Sequence, residues 1–385
     1  MTSRTEPGAK RWRQSLLLLV LVLVLVWALW PGGIASKVSD DLPFEITAVA
    51  EFDQPWALAF LPDGRLLVTE KPGRLLLFSP TNGARVAVAG VLAVVYGGQG
   101  GLGDVVLHPQ FADNALVYLS YAEAGDGDTA GAAVARGRLV VSGDAAELED
   151  LQVIWRQVPK VSGRGHYGHR LAFDAGGYLF ISSGERQEFD PAQDMASNMG
   201  KILRLRDDGT VPPDNPFADQ GGVAAEVWSL GHRNPLGLAF DALGRLWSTE
   251  MGPLHGDELN LVLRGRNYGY PLVSNGDHYS GEPIPDHDTR PDLEAPKVWW
   301  RPSIAPAGLA FYSGELFPQW RGSAFIPALA GAALIRVEVE GEAAREAERF
   351  EMGRRIRAVV QGPDQALWVL EDGSGGRLLK LSPRP

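Results

Sequence analysis

The sequence predicts an all-β fold, a six-bladed β-propeller filling one domain from residue 44 to residue 385. Three observations predict it. One pattern recurs six times: a short apolar run, a turn rich in Asp, Gly or Pro, and a second apolar run. The copies start 48, 65, 67, 71 and 50 residues apart, more chain than a hairpin consumes and the spacing of propeller blades. No stretch beyond the first 35 residues carries sustained helical periodicity.

The first element is an export segment. Leu16–Trp30 is an unbroken apolar run of 15 residues, preceded by Lys10, Arg11 and Arg13 and followed by Pro31-Gly32-Gly33 and Ile34-Ala35-Ser36. A basic flank, an apolar stretch and small residues after it form a secretory signal, with cleavage expected after Ala35. The run is short for a full span, and an uncleaved membrane anchor is the alternative. Either way the basic flank puts the rest of the chain outside the cytoplasm, in the periplasm or on the outer face of the inner membrane. Residues 36–43 read as a linker.

The repeats follow: Leu58–Glu70, Val106–Tyr121, Leu171–Glu185, Leu238–Glu250, Leu309–Ala328 and Val359–Asp372. Pairs such as Asp63-Gly64 between apolar runs are hairpin signals, and the alternation through Arg65-Leu66-Leu67-Val68-Thr69 suits a half-buried strand. The three wide spacings flank the third to fifth copies, so the longest loops are expected there. Phe44–Val49 is expected to close the ring against Arg377–Leu381. Two β-sandwiches are the alternative fold, disfavoured because no linker-like stretch interrupts the repeats.

Composition narrows the function. The 385 residues include 46 Gly and no Cys, which excludes a disulfide scaffold, a thiolate metal site and a Cys nucleophile. The net charge is −11, and without the first 35 residues 32 basic residues face 46 acidic ones, against a general nucleic-acid binder.

Several loops carry candidate chemistry. His166 lies between glycines in Gly163-Arg164-Gly165-His166-Tyr167-Gly168, where a neutral imidazole can take a proton from a hydroxyl; a loop His bonded to backbone is the bland reading. His169 is a weaker candidate. Gln99 sits in the glycine-rich turn Gly97–Gly101. Arg233 and Asn234 precede the fourth repeat, and Arg355-Ile356-Arg357 the sixth, where a strand would turn both Arg to one face. Their convergence on one acidic ligand requires ring closure. Glu250, Gly252-Pro253, Asp257-Glu258 and Asn267-Tyr268-Gly269 offer carboxylates and carbonyls suited to Ca²⁺ rather than Zn²⁺, though surface acids have the same composition.

In this order, Gly98-Gln99-Gly100-Gly101-Leu102, His166-Tyr167-Gly168-x-Arg170, Arg233-Asn234-Pro235, Gly252-Pro253, Asp257-Glu258-Leu259-Asn260, Asn267-Tyr268-Gly269, Tyr279-Ser280-Gly281 and Arg355-Ile356-Arg357 resemble the soluble quinoprotein glucose/sorbosone dehydrogenases, most closely their aldose sugar dehydrogenase branch. The resemblance runs from about Leu42 to Leu381. It implies a six-bladed propeller that binds pyrroloquinoline quinone (PQQ) and Ca²⁺, oxidises aldoses and passes electrons to an external acceptor. It makes His166 the general base. It assigns Gln99, Arg233, Asn234, Tyr279, Ala328, Leu329, Ala330, Arg355, Ile356 and Arg357 to the quinone. It assigns Glu258, the Tyr268 carbonyl and the carbonyls of Gly252 and Pro253 to Ca²⁺. Ala330 stands where the family commonly has Lys, which implies weaker quinone binding or another cation in its place. Leu236 stands where Gln is common. A Ca²⁺-dependent lactonase-type propeller and a non-enzymatic binding propeller are the competing readings; neither has use for a cluster of arginines.

Overall fold

The computed structural model describes residues 42–384, so the export segment and linker residues 36–41 lie outside the described residues. Leu42, on the linker side of the expected boundary, is buried in one apolar cluster with Phe44, Trp320 and Phe350. Helix is confined, among the described residues, to the single turn Phe111–Asn114 and to short 3-10 segments.

Each repeat forms the expected antiparallel hairpin. The pairs are Pro55–Phe60 with Leu66–Glu70, Leu102–Leu107 with Leu116–Ala124, Gly168–Phe173 with Leu179–Ser183, Pro235–Phe240 with Leu246–Glu250, Ala310–Phe311 with Ala324–Ala328, and Ile356–Gln361 with Leu367–Glu371. Four of them share one turn chemistry. The N–H of Leu61, Asp174, Asp241 and Gly362 donates to the carbonyl four residues on. The residue before that carbonyl has positive φ, 84° at Gly64, 80° at Gly177, 73° at Gly244 and 63° at Gln365. Only glycine adopts that region without a Cβ penalty, which explains the Asp-Gly signal.

Further strands extend the hairpins into four-stranded sheets, and the sheets of the first two hairpins are joined by a parallel contact of Val88 with Ala146 and Ala89 with Glu147. The first strands of successive hairpins lie side by side in chain order, and Ile356–Gln361 returns to lie beside Pro55–Phe60. The last sheet is completed by the start of the described chain. Phe44–Asp53 runs antiparallel to Ser374–Pro383, with Ile46 opposite Leu381 and Glu51 opposite Arg377. That is the closure expected from Phe44–Val49, made by backbone hydrogen bonds in a chain without cysteine.

One expectation needs correction. The first wide spacing does not make a long loop; it is filled by two long strands, Ala130–Ser142 and Ala145–Arg156. The long loops gather later, notably between Leu261 and Val298.

A buried ion pair ties the first strands together. Arg170, in Gly168–Phe173, donates from Nη1 to Asp104 Oδ1 at 3.2 Å, from Nε to the Leu236 carbonyl at 2.7 Å and from Nη2 to the Ala307 carbonyl at 2.5 Å. Its guanidinium lies 3.9 Å from the Trp56 ring centroid. Asp104 also accepts the N–H groups of Leu171 and Val105, at 2.9 and 3.0 Å. Burial raises the Asp104 carboxyl above its ordinary value despite Arg170. Arg170→Met is therefore expected to destabilise the domain by about 3–5 kcal/mol, because Asp104 stays buried without its cation. Denaturant unfolding checks this, and the double variant with Asp104→Leu is expected to recover part of the loss.

Candidate functional site

Antiparallel hairpins bring the start of each first strand beside the end of each second strand. Pro55 thus pairs with Glu70, Gly168 with Ser183, Pro235 with Glu250 and Ile356 with Glu371. The candidate loops Gly97–Gly101, Gly163–Tyr167 and Gly231–Asn234 each precede a first strand. They share one end of the molecule with a set of acidic residues that close the second strands.

A cavity of about 370 Å³ opens there, lined among others by Trp56, Lys71, Gln99, His169, Leu329 and Arg357. Its charged lining is Lys71, Arg355, Arg357 and Asp372. Arg355 donates from Nε to Asp372 Oδ2 at 2.9 Å, and Arg357 from Nε to Oδ1 at 2.8 Å. Burial works against the Asp372 carboxylate, but the two arginines outweigh it and hold it below its ordinary value. His169 is buried and stripped of solvent, with its pKa driven down to about 3, so it adds no charge. Three cations face one carboxylate in a protein of net charge −11.

His166 borders this cavity through Gln99. Its Nδ1–H donates to Glu185 Oε1, and its backbone N–H donates to Gln99 Oε1 at 2.8 Å. Glu185 is fully buried and also accepts the Phe189 N–H at 2.9 Å. Nε2 of His166 makes no hydrogen bond among the described residues. Burial lowers the imidazole pKa; the Glu185 bond pulls it back up and Arg233 pushes it down again. The ring is therefore neutral near pH 7, its tautomer set by Glu185, with a free lone pair on Nε2. Asn234 joins the group: its Oδ1 accepts the Gly168 N–H at 3.1 Å and its Nδ2 donates to Gln99 Oε1 at 3.3 Å.

Arg233 is held from below. Its backbone N–H donates to Glu250 Oε1, while Glu250 Oε2 accepts from His232 Nδ1 at 2.9 Å. Ser229 Oγ donates to His232 Nε2 at 2.8 Å. The Arg233 side chain donates from Nη1 to the Met251 and Gly252 carbonyls, at 3.0 and 2.6 Å, and its buried Nε has no partner. The exposed ring of Tyr279 stands 5.9 Å from this guanidinium.

The remaining expected quinone contacts divide. Leu329 lines the cavity, Ala330 beside it is exposed, and Ala328 is fully buried at the end of its strand. Ile356 points away: its side chain is fully buried in the core with Phe44 and Val369, because a strand turns alternate residues to opposite faces. Only its backbone is left to face the site beside Arg355 and Arg357.

The expected Ca²⁺ ligands lie deeper. Glu258 is opposite Glu250 in the sheet and is buried; loss of solvent, and then the neighbouring Glu250, push its carboxyl well above the ordinary range. Asn260 Nδ2 donates to Glu258 Oε2 at 3.0 Å, and the buried Oδ1 of Asn260 has no partner. The Tyr268 carbonyl accepts from His287 Nε2 at 3.1 Å, and the Tyr268 ring stacks on His232 at 4.6 Å. No cluster of three or more His, Asp or Glu side chains suited to a metal occurs among the described residues. Two buried carboxylates, an unsatisfied amide oxygen and carbonyls are nevertheless hard-cation chemistry. Glu258 and the unpartnered Asn260 Oδ1 are the donors here that fit Ca²⁺. The Gly252 and Tyr268 carbonyls and both Glu250 oxygens already accept hydrogen bonds, from Arg233, His287 and His232. A polycarboxylate such as PQQ fits the cavity's surplus of cations, Lys71, Arg355 and Arg357 against Asp372; Arg233 is not part of that lining.

Sequence reasoning missed Glu185, Asp372, Lys71 and the Asp104–Arg170 pair as working residues. A signal existed for two of them. Four of the six repeats end on an acid, at Glu70, Glu185, Glu250 and Asp372. Those acids orient the bases and arginines across the hairpin.

Similarity to known proteins agrees with this geometry. The glucose/sorbosone dehydrogenase profile matches residues 52–380. The chain belongs to the glucose/sorbosone dehydrogenase family. Over 380 residues it is 43% identical to the aldose sugar dehydrogenase YliI of Escherichia coli, covering 97% of this chain and 99% of that one. A crystal structure of a glucose dehydrogenase is 48% identical and superposes with a TM-score of 0.85 over 88% of this chain and all of that one. The PQQ-bound aldose sugar dehydrogenase of Streptomyces coelicolor is 28% identical, with a TM-score of 0.72 over 89% and 98% of the two chains. Members of the family thus share this all-β fold.

The His166 environment makes a signed prediction. Its pKa, followed by NMR, is expected to lie below the ordinary value of about 6.5. Glu185→Gln is expected to lower it further, because the lost carboxylate had favoured the imidazolium. A rise in that variant would show that Glu185 does not hold the ring.

Proposed function

We propose that the protein oxidises aldose sugars at C1 to the lactone, using PQQ and Ca²⁺ and passing electrons to an external acceptor. The observation that carries this reading is His166: neutral, tied at Nδ1 to buried Glu185, free at Nε2, and linked through Gln99 to a cavity with excess positive charge. When bound, PQQ supplies a two-electron hydride acceptor and Ca²⁺ a Lewis acid that polarises it.

The chain's own task is the proton and the geometry. His166 Nε2 takes the proton of the C1 hydroxyl, and Glu185 stabilises the imidazolium that results. Gln99 holds the His166 backbone, and Asn234 holds Gln99 and Gly168. Arg355 and Arg357, which line the cavity, would meet the ligand's carboxylates, and Arg233, with the Tyr279 ring 5.9 Å from its guanidinium, would add a third cation. Glu258, Asn260 and the Tyr268 carbonyl would hold a Ca²⁺. We read the recurring meanders as six propeller blades, residues 44–385 as the catalytic domain, and residues 1–35 as the signal or anchor that delivers it outside the cytoplasm.

Reconstitution with PQQ and Ca²⁺ tests the reading: aldoses are expected to drive reduction of an artificial electron-acceptor dye. No reduction with any aldose, together with no spectrum of bound quinone, would sink it, and lactone hydrolysis instead would favour the lactonase. His166→Gln is expected to slow turnover by about 10²–10⁴-fold with quinone binding retained.

The cation has its own readout. Ca²⁺ at about 100 times its dissociation constant is expected to stabilise the folded domain by roughly 2.7 kcal/mol. Thermal unfolding of Glu258→Gln with and without Ca²⁺ is expected to show that shift lost or strongly reduced.

A further inference from the structure

We propose that Lys71 is an anchoring cation for an anionic group of the ligand that fills the central cavity. The inference rests on the proposed quinone chemistry and adds a binding residue that none of the recognised motifs contains.

Lys71 follows Glu70 at the end of the strand Leu66–Glu70 and lines the cavity with Gln99, Leu329, Arg355 and Arg357. Its backbone is fixed at both ends. The N–H donates to the Gln54 carbonyl at 3.0 Å, and the carbonyl accepts the Leu102 N–H at 2.9 Å. Gly101, with φ of 129°, packs so closely on that carbonyl that a Cβ there would overlap it. The glycine-rich turn therefore seats the lysine as well as presenting Gln99.

The ammonium group is undercommitted. Nζ donates to the Gly98 carbonyl at 2.9 Å and forms no ion pair among the described residues. Its neighbours are not free in this way: Arg74 is bonded to Glu70, and Arg355 and Arg357 share Asp372. Loss of solvent, and then the nearby Arg357, act against the charged lysine. A half-buried cation next to two arginines is unfavourable unless an anion completes the set. Among the described residues only Asp372 does so in the cavity lining, leaving two positive charges for a ligand to neutralise. Ala330, exposed beside cavity-lining Leu329, contributes none.

A lysine suits this task. Its ammonium carries three protons on a flexible stem, so two can be donated to a carboxylate while the Gly98 bond is kept. A planar ligand with several carboxylates would engage the Arg355–Arg357 pair on one side and Lys71 with another group.

The test is equilibrium binding of PQQ to the full chain stripped of cofactor, with Ca²⁺ present, followed by fluorescence quenching across a salt series. The wild type is expected to bind, and Lys71→Gln to bind about tenfold more weakly with a shallower salt dependence. Lys71→Arg is expected to stay close to wild type, and matching circular dichroism melts show that all variants fold. Equal affinity and salt dependence in wild type and Lys71→Gln would overturn the proposal while leaving the quinone reading intact. Equal losses in Lys71→Arg and Lys71→Gln would also overturn it, since charge would not be what matters. Absence of quinone binding in the wild type would overturn both.

Discussion

The guanidinium of Arg170 is the contact on which the centre of this molecule depends. It reaches Trp56, Asp104, Leu236 and Ala307, which belong to the first, second, fourth and fifth hairpins or their approach, while Arg170 itself belongs to the third. Apolar residues of the first strands, Trp56, Val105 and Leu236 among them, share one core cluster, and the polar groups buried beside them need partners. A planar cation with five donors satisfies carbonyls and a carboxylate from several directions at once. It also sits four residues after His166 and one after His169. The same contact that joins the hairpins thus fixes the strand from which the candidate base is displayed.

A second constraint follows from antiparallel pairing. The end of a second strand must lie beside the start of its first strand, so acids placed there face the loops that carry His166, His232, Arg355 and Arg357. Glu185 orients an imidazole, Glu250 holds a loop through His232 and the Arg233 N–H, and Asp372 gathers two guanidinium groups. Each of these acids closes a second strand or follows its last residue by one or two positions, and each takes different partners. These pairings also explain how an acidic protein keeps a positive cavity. Glu185 and Glu250 are consumed in such contacts, and among the described residues only Asp372 reaches the cavity wall.

The fold was legible because its signals are local. Asp-Gly turns and alternating apolar residues act within a few residues of themselves, and the hairpins formed as expected; the Arg377–Leu381 strand also formed, but its partner lies at the other end of the described chain. The axial pair was not legible, since Asp104 and Arg170 are 66 positions apart and nothing in either segment names the other. The same holds for Lys71, whose importance lies in the carboxylate it lacks rather than in any motif. The expected loop before the third repeat failed for a different reason: a spacing counts residues but does not tell a loop from a pair of long strands. For the site, motif order named Gln99, Arg355 and Arg357, and the three line one cavity. It could not show that the Ile356 side chain between the two arginines is turned into the core.

The backbone at the candidate base gives the last step. His166 and His169 have φ of 47° and 55°, a region that non-glycine residues occupy at a cost. Neither residue would hold it alone. His166 is clamped by Gln99 at its N–H and by Glu185 at its ring, and its carbonyl accepts the Arg186 N–H at 3.2 Å. Gly184 passes so close to that carbonyl that a side chain there would collide with it. Gly165 and Gly168 flank this turn where a Cβ would meet the Gln187 side chain and the Gly184 backbone, so the glycines let the turn that carries His166 pack closely on its neighbours.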